Sequence, residues 1–124
     1  MSNRIAAKLL AEFIGTFAFV FIGAGAAAVV GNGAGLNGIA AVALAHGLTV
    51  MAFAFAYGPL SGGHMNPAVT VGVVAAGAMR AGEAAGYIVC QLVGGTVAGS
   101  ACPHSRTTSL WVTRSSRSRP RPVS

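Results

Sequence analysis

Three long apolar stretches, separated by short polar turns, dominate the chain as far as residue 101. They run from about Ile5 to Val30, from Leu36 to about Tyr57 and from about Gly82 to Ala101. Each holds about 20 residues or more, and a helix of that length, at about 1.5 Å per residue, crosses a hydrocarbon core of about 30 Å. The pattern therefore predicts an all-α membrane protein with three transmembrane helices.

A shorter apolar stretch follows a polar turn between the second and third spans. Asn66 is a favoured helix N-cap and Pro67 suits the first helical position, so a helix is predicted from Pro67 to about Met79. Its roughly 13 residues would reach about 20 Å, too short to span a bilayer. A half-helix after a glycine-rich loop indicates a re-entrant segment, whose loop is tolerable only where it lines a wet cavity. Its positive end would lie near mid-membrane.

Small residues recur on a four-residue grid in two spans, interrupted in the first only by Phe19, which favours close helix packing because lipid supplies no hydrophobic force between helices. In the first span these are Ala11, Gly15, Gly23 and Ala27. In the third they are Gly82, Gly86, Cys90, Gly94, Ala98 and Cys102. The spans are therefore expected to pack closely along these faces.

Composition agrees with a membrane protein. Of 124 residues, 54% are hydrophobic and only 8% are charged, too few charges to cover a soluble domain. The charged residues before residue 102 are Arg4, Lys8, Arg80, Glu12 and Glu83. The three cations lie at ends of predicted elements that share one side, which the positive-inside rule makes cytoplasmic.

The chain changes character after Ala101. Residues 102–124 are rich in Ser, Arg and Pro and carry five arginines, which predicts a disordered basic tail. After three spans this tail would lie on the far side, against the charge rule. We therefore expect one domain over residues 1–101, with 102–124 as a disordered tail, and interpret the gene as truncated or frame-shifted so that native sequence stops near Ala101. A tail that binds nucleic acid or anionic lipid is the disfavoured alternative, so no nucleic acid partner is predicted.

The polar turn carries a family resemblance. Residues 61–70, Ser-Gly-Gly-His-Met-Asn-Pro-Ala-Val-Thr, are similar to the first Asn-Pro-Ala loop of the major intrinsic proteins, the aquaporins and glycerol facilitators. Other family-like segments are Ala11 to Phe17, Val42 to Val50, Gly86-Tyr87, Gln91 and Gly94-Gly95. The resemblance, to bacterial aquaporins, implies the N-terminal one of two inverted repeats: three transmembrane helices and one re-entrant half-helix. Nothing in the tail resembles the second Asn-Pro-Ala loop, so a truncated channel is expected.

The resemblance implies that this loop lines a solute path. Its carbonyl oxygens would accept hydrogen bonds, while Asn66, whose backbone caps the half-helix, would donate from its side-chain amide. The alternative for Asn66 is capping alone. The expected path-lining residues are Gly62, Gly63, His64, Met65, Asn66, Pro67 and Ala68.

Glu12 lies about two turns into the first span, a costly position for a carboxylate without partners. The resemblance implies that Glu12 accepts hydrogen bonds from the Ser61 to Asn66 loop and supports its shape, with His64 as a further partner. The alternative is an interfacial acid beside Lys8, four residues earlier on the same helix face.

His46 lies mid-span in the second helix, where the resemblance implies one of four constriction-filter residues. Histidine there is typical of vacuolar and ammonia-permeable members, and a helix-packing histidine is the alternative. Arg80, Tyr87 and Gln91 are interpreted as interface or helix-packing residues.

Together these features predict a passive channel for water or small neutral solutes, with glycerol and ammonia as candidates. The alternatives are a non-conducting membrane fragment that packs with other channel subunits and an unrelated small helical membrane protein. No motif combines a nucleophile, a base and an orienting group, so no enzyme, cofactor or metal site is predicted. By resemblance, the chain would form a homo-oligomer, a tetramer in the family, in the lipid bilayer of the plasma (inner) membrane.

Overall fold

The computed structural model describes residues 2–30 and 35–102, and this part of the chain forms four α-helices. They are α1 (Ser2–Val30), α2 (Gly35–Ser61), α3 (Pro67–Ala75) and α4 (Ala81–Ala101). Of these, α1, α2 and α4 are long and apolar enough to cross a membrane. The all-α class with three spans and one short helix is confirmed. The expected disordered tail falls, from residue 103 on, outside the described residues.

Helix α1 occupies the centre of the packing. It contacts α2 on one side and α4 on another, while α3 packs on α4. The small-residue face of α4 meets α1 at two points: a Cβ on Gly86 would lie 3.1 Å from Leu9 Cδ2, and one on Gly94 would lie 2.6 Å from the Phe13 carbonyl oxygen. Gly82, on the same face, would meet nothing within 4 Å. The predicted close packing is therefore present in the middle of α4 but not at its start.

The interior of the described structure contains several large polar side chains, and much of its surface is apolar. The largest fully buried side chains are Tyr87, Gln91, Glu12 and Thr70. Large apolar side chains are outside, including Val29, Leu36 and Phe55, each at least 80% exposed. A soluble domain would invert this arrangement, whereas in a bilayer the apolar surface faces lipid and buried polar groups must bond one another.

The predicted end of α2 at about Tyr57 is wrong, because the helix continues through Gly58 and Pro59 to Ser61. Pro59 lies in the last turn, where it removes one N–H and its ring crowds the carbonyl four residues earlier, yet the helix continues for two more residues. The end comes at Gly62, which adopts a left-handed φ of 92° and donates its N–H to the Gly58 carbonyl at 2.9 Å. Glycine at this position carries no Cβ penalty.

Helix α3 is also shorter at its C-terminus than predicted, ending at Ala75 rather than near Met79. Gly77 adopts a φ of 73° and donates to the Val74 carbonyl at 2.9 Å, while Ala78 donates to the Val73 carbonyl at 3.1 Å. This pair of bonds is a Schellman motif, which closes a helix at a left-handed glycine. With nine residues, α3 is about 14 Å long, so it is a half-helix.

Candidate functional site

The loop between α2 and α3 has an unusual backbone. Gly62, Gly63 and Met65 have φ values of 92°, 62° and 48°. Glycine adopts such values freely, but Met65 does so at a cost of about 1–2 kcal/mol. The Met65 side chain is buried against α1, where a Cβ on Gly15 would lie 2.7 Å from its Cγ. Burial of this side chain and the bond to its N–H described next offset the strain.

The Glu12 carboxylate, fully buried, accepts four hydrogen bonds. Ser61 Oγ and the His64 N–H donate to Oε1 at 2.7 and 3.0 Å. The Met65 N–H and Gln91 Nε2 donate to Oε2 at 2.6 and 2.7 Å. Every partner donates, so both carboxylate oxygens accept two hydrogen bonds each. Glu12 thus joins α1 to the loop and to α4.

Lys8 is not a partner of Glu12 in this arrangement. Its Nζ bonds Glu83 Oε1 at 2.8 Å, a partly exposed ion pair between α1 and the first turn of α4. The alternative in which Glu12 remains an interfacial acid beside Lys8 is therefore wrong, because Glu12 is buried among donors from the loop and from α4.

Two side chains of α4 extend the network. Tyr87 donates from its hydroxyl to the Ser61 carbonyl at 2.8 Å. Gln91 bridges Glu12 and Thr70, its Nε2 lying 2.7 Å from Glu12 Oε2 and 3.0 Å from Thr70 Oγ1. The interpretation of both as interface or helix-packing residues is incomplete, because each also donates hydrogen bonds in this network. Their spacing of four residues on an apolar helix was the available signal, since it puts two hydrogen-bonding groups on one face.

The loop leaves a set of free hydrogen-bonding groups. Within the described residues, no N–H or O–H donates to the four carbonyl oxygens of residues 62–65. Asn66 follows them and is exposed. Its Oδ1 accepts from the Ala68 N–H at 2.8 Å and so caps α3, which leaves the Nδ2 group available to donate. The cap thus uses the side-chain oxygen, where only the backbone was expected to cap.

Comparisons with known proteins decide the family. The family model described as Major intrinsic protein matches residues 1–119. Aquaporin Z of Photorhabdus laumondii is 50% identical over 95 residues, a match that covers 73% of this chain and 40% of that protein. Glycerol uptake facilitator protein-like 6 of Lactiplantibacillus plantarum is 44% identical over 94 residues, covering 76% and 41%.

The chain belongs to the major intrinsic protein family. It is an integral membrane protein, and its three spans and half-helix match an aquaporin-like half repeat. The chain spans about two fifths of the length of the curated relatives it matches, 40% and 41%.

The predicted site residues of this major intrinsic protein fall into two places. Residues 62–68 form the loop and the first turn of α3, and Glu12 contacts that loop. Met65 is present there through its backbone, since its side chain is buried, while Pro67 is half-buried and Ala68 exposed.

His46 lies elsewhere, between α1 and α2. Its Nδ1 is 2.9 Å from the Val42 carbonyl, its ring contacts the edge of Phe19 at a centroid distance of 5.3 Å, and a Cβ on Gly23 would collide with it. The half-buried ring therefore packs on α1 in the described part of the chain, and its filter role stays a prediction.

Tyr87→Phe is expected to lower the free energy of unfolding of this major intrinsic protein by about 1 kcal/mol, because the Ser61 carbonyl loses its donor. Titration with SDS followed by circular dichroism would measure the change. Tyr57→Phe is the matched control, since the Tyr57 hydroxyl bonds none of the described residues. Equal stability of the two variants would contradict the importance of the Tyr87 bond.

Proposed function

We propose that the chain contributes a passive transmembrane path for water or small neutral solutes. The observation that carries the proposal is the row of free carbonyl oxygens at residues 62–65, directly before the free amide of Asn66 at the N-terminus of α3. Acceptors that lead to a donor orient small molecules in single file. Gly62, Gly63, His64, Met65, Asn66, Pro67 and Ala68 line this path.

Charge selection follows from the half-helix. Its N-terminal end carries partial positive charge, and within a membrane this raises the energy of a proton or cation while leaving neutral solutes little affected. Glu12 supports the loop, because its four accepted bonds tie the backbone of His64 and Met65 to α1 and α4. Loss of that support would let the free carbonyl groups turn away from the path.

The solute is water or a small polar molecule such as glycerol or ammonia. One relative is named an aquaporin and another a glycerol uptake facilitator, which supports both classes. In the filter role, His46 would widen the constriction relative to phenylalanine and add a hydrogen-bonding group. A turn of its ring away from Gly23 would be needed, since the ring now packs there.

The setting of this path is also proposed. A family-type path needs two inverted halves, so the chain would act beside a second half repeat, in a homo-oligomer embedded in the lipid bilayer. Bacterial relatives favour the plasma (inner) membrane. Conduction of this kind requires no catalysis, cofactor or nucleic acid.

Osmotic shrinkage of proteoliposomes, followed by stopped-flow light scattering, tests the proposal. We expect liposomes with the inserted chain to shrink faster than empty liposomes, through pairs of oppositely inserted copies. Asn66→Asp should abolish the gain, because aspartate keeps the cap but replaces the amide donor with a carboxylate.

Asn37→Asp is the matched control, since it adds the same carboxylate to an exposed residue of α2 away from the loop. Its shrinkage rate should equal that of the unchanged chain. Shrinkage at the rate of empty liposomes, with insertion verified, would instead support a non-conducting fragment.

A further inference from the structure

The hydroxyl group of Thr70 is fully buried and has three hydrogen-bonding neighbours within 3.2 Å, with Gln91 Oε1 farther away at 3.4 Å. Gln91 Nε2 lies 3.0 Å from Oγ1, His64 Nδ1 lies 3.1 Å away and the Asn66 carbonyl oxygen lies 3.2 Å away. A hydroxyl carries one proton and accepts two hydrogen bonds. All three contacts are satisfied only if Thr70 donates once and accepts twice.

The direction of the first contact follows from Glu12. Gln91 must turn its NH₂ group toward Glu12 Oε2, 2.7 Å away, because the carboxylate accepts from all its neighbours. The second proton of the same nitrogen then faces Thr70 Oγ1. Thr70 therefore accepts from Gln91.

One proton, that of the Thr70 hydroxyl, remains to be placed. If it pointed at His64 Nδ1, Thr70 Oγ1 and the Asn66 carbonyl oxygen would face each other at 3.2 Å with no proton between them, although that carbonyl also accepts the Thr70 N–H at 3.1 Å. If it points at the Asn66 carbonyl, four residues earlier on the same helix, the 3.1 Å contact with His64 needs a proton on Nδ1. Only the second arrangement supplies a proton to all three contacts.

We infer that Thr70, itself oriented by Gln91, holds His64 in the Nδ1–H tautomer and leaves the Nε2 lone pair free as a further acceptor beside the loop carbonyls. The consequence of this tautomer for solutes rests on the proposed function. An imidazole nitrogen would join the carbonyl oxygens in accepting from the O–H or N–H groups of a passing solute. Thr70 and Gln91 are positioning residues that act through His64.

The Nε2 atom is accessible for this role. It has no hydrogen-bond partner in residues 2–30 and 35–102. Among the side-chain N and O atoms there, Thr16 Oγ1 is the one that is both buried and without a partner, so Nε2 is not buried. The atom lies over Gly62, where a Cβ would be 3.1 Å away. Thus one edge of the ring contacts Thr70 of α3, while the other lies beside Gly62 of the loop.

Solid-state NMR of the full chain in lipid bilayers, with histidine labelled by ¹³C and ¹⁵N, tests the inference. His46→Phe together with His104→Gln leaves His64 as the only one of the chain's three histidines. At a pH of about 9, above the ordinary range of imidazole titration, we expect a protonated signal for Nδ1 and an unprotonated one for Nε2. A proton found on Nε2 instead would overturn the assignment.

Two variants test the part played by Thr70. Thr70→Val keeps the shape but removes the hydroxyl, so the proton should move to Nε2, whereas Thr70→Ser should preserve the Nδ1–H pattern. An Nδ1–H pattern that persists in Thr70→Val would overturn the positioning role. A chain that shows the Nδ1–H tautomer but does not conduct contradicts the proposed function alone, and one that conducts with a proton on Nε2 contradicts this inference alone.

Discussion

Glu12→Leu is expected to destabilise the protein more than any other single change considered, by about 3 kcal/mol or more in the free energy of unfolding. Leucine fills much of the same volume but leaves four donors without an acceptor: Ser61 Oγ, the N–H groups of His64 and Met65, and Gln91 Nε2. The site is completely buried, so water cannot replace the carboxylate without opening the packing. SDS titration followed by circular dichroism would give the free-energy difference.

Glu83→Gln is the matched control, because Glu83 is the only other carboxylate side chain in the sequence. It pairs with a partly exposed Lys8, so its loss should cost at most about 1 kcal/mol. Glu12→Gln, which keeps one accepting oxygen, should fall between the two. The network would be energetically unimportant if Glu12→Leu were no less stable than Glu83→Gln.

Gly94→Ala should cost about 1–3 kcal/mol, the usual price of overpacking a close helix contact. The added Cβ would lie 2.6 Å from the Phe13 carbonyl oxygen and 3.4 Å from its carbonyl carbon. These are backbone atoms, so the neighbour cannot yield by changing a rotamer, and α1 and α4 must separate. The same unfolding titration would detect the loss.

Gly99→Ala on the same helix controls for helix propensity. A Cβ there would meet nothing within 4 Å, and alanine is favoured over glycine inside a helix by about 0.5–1 kcal/mol. This variant should therefore be slightly more stable than the unchanged chain. If Gly94→Ala matched it, the close approach of the two helices would be contradicted.

Local features of the fold were predictable. The lengths of the apolar stretches predicted three spans, and Asn66-Pro67 predicted the start of α3, because hydropathy and capping depend on residues near one another in the chain. The ends of α2 and α3 were misplaced. Several glycines could end each helix, and the one that adopts a left-handed φ depends on where the following loop must go.

Partner choice inside the site was only partly predictable. The resemblance implied that Glu12 bonds the loop. The residues around Gln91 did not indicate that it would bond Glu12, 79 residues away. Lys8 shows the same limit: the sequence offered Glu12 four residues away, whereas the structure pairs it with Glu83, 75 residues away. Contacts between distant residues can be predicted only when it is known which helix faces meet.

By itself, the sequence determined the membrane class, the spans, the capped half-helix and the small-residue faces, since each is set by periodicity, length or the chemistry of neighbouring residues. Tertiary structure alone decided that Tyr87, Gln91 and Thr70 join Glu12 in one buried network. The physical reason is that buried polar groups must find partners, and the available partners depend on how α1, α3 and α4 pack together.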